Sequence, residues 1–244
     1  MQNTDERHVA LVTGASRGIG QAIAVGLAQA GYDLVITDLA HQEADLRKTA
    51  SLITALDRRA YTYLADVSRK EEIDATVQAT LRDAGRIDVL VNNAGILKPS
   101  LLQDLDEATW DAHFDVNVKG VLLMCQAVVP HMRARKSGRV INIASIAGRQ
   151  GVATQGHYAA TKAAVITLTR VLAQEAGMDG VTVNAICPGI ILTEMGRNNL
   201  GSAEAVRHWE EIAALKRLGK PEDVIGPVCF FASGESAFVT AQPL

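Results

Sequence analysis

The sequence predicts a doubly wound α/β fold of the Rossmann type, with helices covering both faces of a parallel sheet in three α/β/α layers. Short, almost continuous apolar runs alternate six times with segments of helical periodicity, and the joints between them are short. Such runs are typical of strands buried on both faces, and the alternation is typical of parallel sheets. Because no repeat, low-complexity run or linker interrupts the chain, we expect one domain over residues 1–244.

The first half of the chain supplies four predicted strands. Residues 8–13 form the first apolar run, and a Gly-x-x-x-Gly-x-Gly segment follows it at once. The next helix turns Ile23 and Leu27 inward and ends at Gly31, a typical helix stop. Three further strands and two helices follow, with strands at 33–37, 60–65 and 87–91 and helices at 43–59 and 69–84.

The second half begins with a looser stretch, after which Asp106 is expected to cap a helix that continues, with a break, to Val129. A less regular segment, 190–218, contains a predicted helix at 203–215, and Pro221 is expected to begin the last helix. The remaining predicted elements are the strand 139–144, the long helix 157–176 and the strand 181–186.

Composition and charge restrict the function classes. Hydrophobic residues make up 48% of the chain, enough for a large core, and the net charge of −3 includes no basic stripe for nucleic acid. Residues 1–8 lack the apolar region of an export signal, and the most apolar helical stretch, 120–129, is too short to span a membrane. The cysteines Cys125, Cys187 and Cys229 are isolated in the sequence, so we expect free thiols in a reducing cytoplasm. No histidine pair has the spacing of metal ligands, so we expect no metal site.

The glycine segment has the features of a phosphate site. Gly14, Gly18 and Gly20 lie between the first strand and the first helix, where the ligand crevice of a doubly wound sheet opens. Glycines there let a pyrophosphate approach the backbone, and the helix N-terminus offers N–H donors. An unliganded turn has the same composition, but the placement at the first joint favours a nucleotide.

The residue that ends the second strand bears on the choice of nucleotide. Asp38 follows the glycine segment at about the spacing of the carboxylate that binds an adenosine ribose. Such a carboxylate repels a 2′-phosphate by roughly 4 kcal/mol per unit charge at about 4 Å and an effective dielectric near 20, before relaxation. Arg17 acts in the opposite direction because it can pair with that phosphate, but solvent screening weakens it. We therefore predict NAD, with NADP as the alternative.

Ser145, Tyr158 and Lys162 are the candidate catalytic residues. Tyr158 and Lys162 are four residues apart in a helical run and share one helix face, and Ser145 follows the fifth strand. A nearby ammonium lowers the pKa of a phenol and makes it usable as an acid or base near neutral pH. On spacing alone, a solvated helix face is the simpler interpretation. The glycine segment and Asp38 reverse that preference, because they bring a nucleotide to the same crevice.

Taken together, these motifs resemble the classical short-chain dehydrogenase/reductase family over nearly the whole chain. The matching positions are Thr13 to Gly20, Asp66, Val67, Asn92 to Gly95, Asn117, Ser145, Tyr158, Lys162, Pro188, Gly189 and Thr193. The resemblance implies an enzyme that interconverts a secondary alcohol and a ketone with NAD(P). It also implies a role for each catalytic position: Tyr158 exchanges a proton with the substrate oxygen, and Ser145 holds that oxygen. Lys162 lowers the pKa of Tyr158 and binds the nicotinamide ribose, and Asn117 maintains a helix irregularity and a water in a proton relay.

The resemblance implies the remaining cofactor contacts as well. Asp66 and Val67 would contact adenine, and Ile191 and Thr193 would hold the nicotinamide carboxamide. The expected cofactor-binding residues are Gly14, Ser16, Arg17, Gly18, Ile19, Gly20, Asp38, Asp66, Val67, Asn93, Ala94, Gly95, Tyr158, Lys162, Pro188, Gly189, Ile191 and Thr193.

Substrate and assembly have more than one interpretation. Residues 190–218 take the place of the family's variable substrate lid, and Asp38 favours a small polar alcohol or sugar-type substrate. Residues 215–223 resemble 3-oxoacyl-carrier-protein reductases, which usually prefer NADPH, and this is the alternative. A nucleotide-sensing scaffold on the same fold is a third hypothesis, which the intact catalytic set argues against. The long apolar helices and the resemblance imply a homotetramer or homodimer, although residues 239–244 depart from the family's last strand.

Overall fold

Six parallel strands form one sheet in the order β3-β2-β1-β4-β5-β6 in the computed structural model, which describes residues 7–244. The expectation about an export signal falls on residues 1–8 and so lies largely outside the described residues. The strands are β1 (Val9–Thr13), β2 (Asp33–Asp38), β3 (Ala60–Leu64), β4 (Val89–Asn92), β5 (Gly138–Ile143) and β6 (Val181–Ile186). This order is that of a doubly wound sheet, so the predicted fold class is confirmed.

Helices cover both faces of the sheet. They are α1 (Gly18–Gln29), α2 (Glu43–Thr54), α3 (Lys70–Asp83), α4 (Glu107–Phe114), α5 (Gly120–Ala134), α6 (Ala147–Gln150), α7 (Gly156–Ala176), α8 (Glu194–Leu200), α9 (Ala203–Ile212) and α10 (Ile225–Ala232). Buried side chains of α1, α2 and α10 form one core cluster with the sheet, and those of α3, α5 and α7 form the other.

The first strand shows why the apolar runs are continuous. Val9 and Leu11 pack into the core under α3, α5 and α7, whereas Ala10 and Val12 pack into the core under α1, α2 and α10. Successive side chains of a strand point to opposite faces, so a strand covered on both sides needs an apolar residue at every position. Each large aliphatic side chain buried in this way stabilises the fold by about 1.5–3 kcal/mol.

The crevice of this sheet lies between β1 and β4. These strands pair in parallel although two strands, β2 and β3, separate them in chain order, and the segments that follow them lead to opposite faces. Ligands of such sheets bind at the carboxyl ends of the strands where the order reverses. The segments leaving β1 and β4 are therefore the ones best placed to form a site.

Two predicted helices end earlier than expected, and one short helix was not predicted. The helix after β2 ends at Thr54, and Asp57 takes a left-handed conformation with φ of 57°. Aspartate tolerates that conformation better than most residues, and no glycine or proline marked the helix end. The last part of the predicted 203–215 helix is irregular, since α9 ends at Ile212. Helix α8 falls in a stretch for which only irregular structure was predicted.

The helix after Asp106 has its predicted cap and its predicted break. The Asp106 carboxylate accepts a hydrogen bond from the Thr109 N–H at 2.6 Å and so satisfies an N–H at the start of α4. A π-helical turn, Asp115–Lys119, then separates α4 from α5. Such turns are often found at functional sites.

The two ends of the lid segment meet at the sheet. The Leu192 N–H donates to the Gly219 carbonyl at 2.8 Å, and the Gly219 N–H donates to the Ile190 carbonyl at 3.0 Å. The intervening residues, with α8 and α9, leave the body of the protein and return to the same point.

The C-terminal residues run beside β6 despite their departure from the family pattern. The Ala241 N–H donates to the Val183 carbonyl at 2.8 Å, and the Cys187 N–H donates to the Leu244 carbonyl at 2.7 Å. These bonds occupy backbone groups on the outer edge of β6.

Among residues 7–244, no helix has the length and apolar character needed to cross a membrane.

Candidate active site

A cleft of about 1570 Å³ opens at the carboxyl ends of the strands. It is larger than the roughly 300–1,000 Å³ typical of a single-ligand pocket, which suits a dinucleotide and a substrate together. All of the predicted cofactor-binding residues line it, together with Ser145. Asn117 is fully buried and lies behind the cleft wall.

The glycine loop, residues 14–20, leaves no room for side chains at two positions. Gly14 has φ of +65°, and a Cβ there would lie 2.9 Å from the Ala94 Cα. A Cβ on Gly20 would lie 2.0 Å from the Gly14 carbonyl oxygen. Both glycines are thus required by close backbone contact around the turn that leads into α1.

The start of α1 is free to receive an anion. Its N-cap residue, Arg17, makes no side-chain capping bond, so the first N–H groups of the helix have no cap. The Ser16 hydroxyl is buried and finds no hydrogen-bond partner among the described residues. Uncapped N–H groups at a helix N-terminus attract phosphate, and an unpaired buried hydroxyl costs free energy unless a ligand satisfies it. The residues present therefore fit a dinucleotide.

The Asp38 carboxylate lies at the edge of the glycine loop. It accepts hydrogen bonds from the Ser16 N–H at 3.0 Å and from the Leu39 N–H at 2.8 Å. These donors fix the carboxylate at the end of β2, on the rim of the cleft. A ribose with free hydroxyls can donate to it, whereas a 2′-phosphate would bring like charge against it.

Arg17 is already engaged. Its guanidinium forms an ion pair with the carboxylate of Glu194, the first residue of α8. The pair connects the glycine loop to the lid segment across the mouth of the cleft. The one basic residue of the glycine loop therefore faces a carboxylate of its own chain.

Tyr158 and Lys162 lie together on α7. The Lys162 Nζ is 5.6 Å from the centre of the Tyr158 ring and donates to the Ile143 carbonyl at 2.8 Å. Burial lowers the pKa of Lys162 to about 8. Burial also raises the pKa of Tyr158, and a hydrogen bond with Ser145 acts in the opposite direction.

The direction of the Tyr158 pKa corrects the sequence-based expectation. The sequence predicts that Lys162 lowers this pKa, whereas in the structure burial outweighs other influences and raises it. Removing a phenol from water disfavours its charged form, and a lysine that burial has itself made easier to deprotonate offers less compensating charge. A phenol whose pKa is raised in this way is protonated at neutral pH.

Asn117 joins the segment after β4 to α7. Its Oδ1 accepts from the Ile96 N–H at 2.8 Å, and its Nδ2 donates to the Ile96 carbonyl at 3.0 Å and to the Thr161 hydroxyl at 3.1 Å. The Thr161 hydroxyl donates in turn to the Tyr158 carbonyl at 2.7 Å. The π-helical turn that carries Asn117 is the irregularity expected at that position.

Gly95 is the point where Asn117 and Lys162 come together. A Cβ on Gly95 would lie 3.2 Å from the Asn117 Oδ1 and 3.5 Å from the Lys162 Nζ. The two polar groups therefore face the same small volume at the back of the cleft.

Several residues near the site were not identified from the sequence. Gln155 donates from Nε2 to the Asn199 Oδ1 at 3.0 Å and joins the start of α7 to α8. Thr161 supports both Asn117 and Tyr158, and its position beside Lys162 was the only signal for it. Within residues 7–244, no group of three or more His, Cys, Asp or Glu side chains could hold a metal.

Comparison with known proteins finds similar dehydrogenases and reductases. The family model for short chain dehydrogenases matches residues 8–203. The chain is 39% identical over 235 residues to the 3-oxoacyl-[acyl-carrier-protein] reductase of Staphylococcus epidermidis, covering 96% of this chain and 95% of that protein. Among solved structures, levodione reductase superposes with a TM-score of 0.93 at 34% identity, covering 97% of this chain and 95% of the other. NAD⁺-bound xylitol dehydrogenase superposes with a TM-score of 0.93 at 29% identity, covering 97% and 96%.

Proposed function

We propose that this chain, which belongs to the short-chain dehydrogenase family of oxidoreductases, interconverts a secondary alcohol and a ketone with a nicotinamide cofactor. The observation that carries this proposal is the grouping of Ser145, Tyr158 and Lys162 on one wall of a cleft that also contains the glycine loop. The cofactor, when bound, supplies or accepts the hydride. A binding protein would need the glycine loop but not this set, which argues against a nucleotide-sensing scaffold.

Residues of the protein transfer the proton. In ketone reduction the Ser145 hydroxyl donates a hydrogen bond to the substrate oxygen and holds it beside the Tyr158 hydroxyl. Tyr158 then gives its proton to that oxygen as negative charge develops there. Burial keeps Tyr158 protonated at neutral pH, which is the form that reduction needs. In alcohol oxidation the same groups act in reverse, with Tyr158 accepting the proton.

Lys162 and Asn117 return the proton to Tyr158. With a pKa of about 8, Lys162 can give up and regain a proton close to neutral pH. Its ammonium lies on the face of the Tyr158 ring and near the Asn117 amide, as the contacts around Gly95 indicate. We assign Lys162 the further role of binding the nicotinamide ribose, and Asn117 that of holding a water for the relay.

We propose NAD as the preferred cofactor. Asp38 presents a carboxylate where a 2′-phosphate would lie, and the residue that could compensate it, Arg17, is paired with Glu194. The solved xylitol dehydrogenase contains NAD⁺, which is consistent with this preference. The rest of the dinucleotide would contact Asp66 and Val67 at the adenine end and Ile191 and Thr193 at the nicotinamide end.

Two substrate classes remain as candidates, each supported by a different observation. The Asp38 arrangement and the solved neighbours, named for levodione and xylitol, favour a small polar ketone or alcohol. The curated relatives at 37–42% identity favour a 3-oxoacyl group on a carrier protein, because several are named as such reductases. The higher identity gives the second class somewhat more weight than the sequence motifs alone do.

One assay distinguishes these classes. The purified protein would be incubated with NADH or NADPH and a 3-oxobutanoyl thioester, with NADH or NADPH and levodione, and with NAD or NADP and xylitol, while absorbance of the reduced nicotinamide is followed. Turnover of the thioester alone supports the 3-oxoacyl class, and turnover of levodione or xylitol alone supports the small polar class. Nucleotide binding without turnover of any broad panel of alcohols and ketones would overturn the enzymatic proposal.

We also propose a cytoplasmic homotetramer or homodimer of a one-domain subunit. Leu122 on α5, Val171 on α7 and Trp110 on α4 are each more than one third exposed, on the long helices from which we expect subunit contacts. The three free cysteines suit a reducing compartment. Light scattering on the purified protein tests the assembly, and a monomeric mass would contradict it.

A further inference from the structure

Two buried histidines lie beside the site and take no part in the chemistry above. His113 and His157 are 1% and 0% exposed and come from different helices, α4 and α7. Their rings meet edge to face, with centroids 4.2 Å apart and planes at 87°. A buried polar atom without a hydrogen-bond partner is costly, so the partners of these rings are informative. Three of the four ring nitrogens have partners, whereas the His157 Nδ1 finds none among the described residues.

Both rings contact the backbone of the same residue. The Lys98 N–H donates to the His113 Nε2 at 3.2 Å, and the His157 Nε2 lies 3.0 Å from the Lys98 carbonyl oxygen. The His113 Nδ1 is 2.7 Å from the Thr109 carbonyl oxygen. These partners require His113 to carry its proton on Nδ1 and His157 to carry one on Nε2. The histidine pair thus holds Lys98 by both of its backbone polar groups.

The segment that contains Lys98, residues 96–100, is held at alternate residues. Asn117 binds both backbone groups of Ile96, the histidines bind those of Lys98, and the Ser100 N–H donates to the Thr154 carbonyl at 2.8 Å. The residues between them, Leu97 and Pro99, line the cleft. Ile96 lines the cleft as well, so the segment forms a continuous part of its wall.

The surroundings of His113 maintain its neutral form. Burial lowers its pKa, the Thr109 carbonyl acts in the opposite direction, and His157 and Lys98, the titratable groups that face it from α7 and from the 96–100 segment, lower it further. A neutral ring keeps Nε2 as an acceptor for the Lys98 N–H, whereas a protonated ring would set two donors against each other.

We propose that His113 and His157 are positioning residues that hold Lys98 and thereby fix Leu97 and Pro99 as a wall of the substrate part of the cleft. The second half of this inference rests on the proposed function. The first half, that the pair holds Lys98, does not. The wall should affect substrate binding more than nucleotide binding. The glycine loop follows β1 and Asp38 ends β2, so of the proposed nucleotide contacts only Asn93 to Gly95 adjoin this segment.

The test compares His113→Leu and His157→Leu with His113→Gln and His157→Gln. Leucine fills much of the ring's volume but offers no polar atom, whereas the terminal amide of glutamine can restore the bond made by Nε2 in either position. His8→Gln is the control, since His8 is an exposed residue that precedes β1, at the end of the strand opposite the cleft. Hydrogen exchange of the Lys98 amide, NADH affinity, and KM and kcat for the 3-oxobutanoyl thioester and for xylitol would be measured for each.

We expect Lys98 to exchange faster in His113→Leu and KM to rise about 5- to 10-fold in both leucine variants, the range that one net hydrogen bond gives. NADH affinity and kcat should change less than KM, and the glutamine variants should recover most of the loss. In the wild-type protein, NMR should show the Nδ1–H tautomer for His113 and the Nε2–H tautomer for His157.

Three results would overturn the inference: other tautomers in the wild-type protein, unchanged Lys98 exchange in His113→Leu, or unchanged KM in both leucine variants. If a leucine variant fails to fold, the tautomers of the wild-type protein and the KM of the glutamine variant still test the inference. If the wild-type protein turns over neither probe nor any of the broad panel, the proposed function and the substrate wall both fail, while Lys98 exchange still reports whether the pair holds the segment.

Discussion

The guanidinium of Arg17 pairs with the carboxylate of Glu194, and this contact joins the glycine loop to the first turn of α8. Arg17 is the basic residue best placed to accept a 2′-phosphate, while Asp38, bonded to the Ser16 N–H, is placed to repel one. Both residues therefore act in the same direction on cofactor choice, although their charges are opposite.

Removing these two carboxylates should shift the protein toward NADPH. In Asp38→Asn the like-charge repulsion disappears, and adding Glu194→Gln frees Arg17 to pair with the phosphate. At about 4 Å and an effective dielectric near 20, the repulsion is roughly 4 kcal/mol, so we expect the NADPH/NADH ratio of kcat/KM to rise by about 10- to 1000-fold after screening. Steady-state kinetics with both cofactors measures it. Asp57→Asn, which removes an exposed carboxylate after α2, is the matched control, and an equal shift there would contradict the argument.

Tyr158→Phe should abolish most turnover without loss of the nucleotide. The substitution removes the hydroxyl that exchanges the proton but keeps the ring that packs beside Lys162. General acid–base catalysis contributes about 10²- to 10⁴-fold, so kcat/KM should fall by that factor. Fluorescence titration with NADH should give an affinity close to that of the wild-type protein. Near-normal turnover in the variant would exclude Tyr158 as the proton donor.

Oxidation and reduction should depend on pH in opposite ways. Burial raises the pKa of Tyr158, so its protonated form persists at neutral pH and serves reduction, whereas oxidation needs a group that accepts a proton. Lys162, with a pKa of about 8, becomes able to take a proton from Tyr158 as the solution becomes alkaline. We expect kcat/KM for oxidation to rise from neutral to alkaline pH and that for reduction to fall. Parallel profiles in the two directions would contradict this assignment.

Asp88 should be important for stability and not for chemistry. It accepts from the Val9 N–H at 2.8 Å, from Arg86 at 2.8 Å and from Arg135 at 2.9 Å, at the end of the sheet opposite the cleft. Burial raises its pKa, but the bonds from Arg86, Val9 and Arg135 outweigh burial, and the pKa is lowered overall. Asp88→Asn should reduce the free energy of unfolding by about 2–4 kcal/mol at neutral pH.

The loss of stability in Asp88→Asn should depend on pH, and the lowered pKa of Asp88 sets the direction of that dependence. A carboxylate with a lowered folded-state pKa stabilises the protein above its unfolded value near pH 4, and this stabilisation is lost as the pH falls. Urea unfolding of both proteins should therefore show a difference at neutral pH that shrinks in acid. A difference that does not depend on pH would mean that packing, not charge, accounts for the effect.

Most of the sheet and the cleft could be predicted from the sequence because their signals are local. The apolar runs, the glycines after β1 and the four-residue spacing of Tyr158 and Lys162 all depend on neighbours in the chain. The pKa of Tyr158 could not be predicted, because its direction depends on burial by segments distant in sequence. Arg17 and Glu194 are separated by most of the chain, and nothing in either residue's neighbourhood indicates the other. The contacts of His113 and His157 with Lys98 were not predicted for the same reason.

The hydrogen bonds between Leu192, Gly219 and Ile190 have a consequence for how this scaffold can diversify. The lid segment between Leu192 and Gly219 starts and ends at the same point of the sheet. A longer segment would therefore cost mainly loop-closure entropy, which increases by only about 0.6 kcal/mol for each doubling of the loop length. Substrate-binding segments of quite different length can then be accommodated between these same two ends. Ser145, which follows β5, and Tyr158 and Lys162 on α7 would stay where they are, so the proposed chemistry and the selectivity can evolve separately.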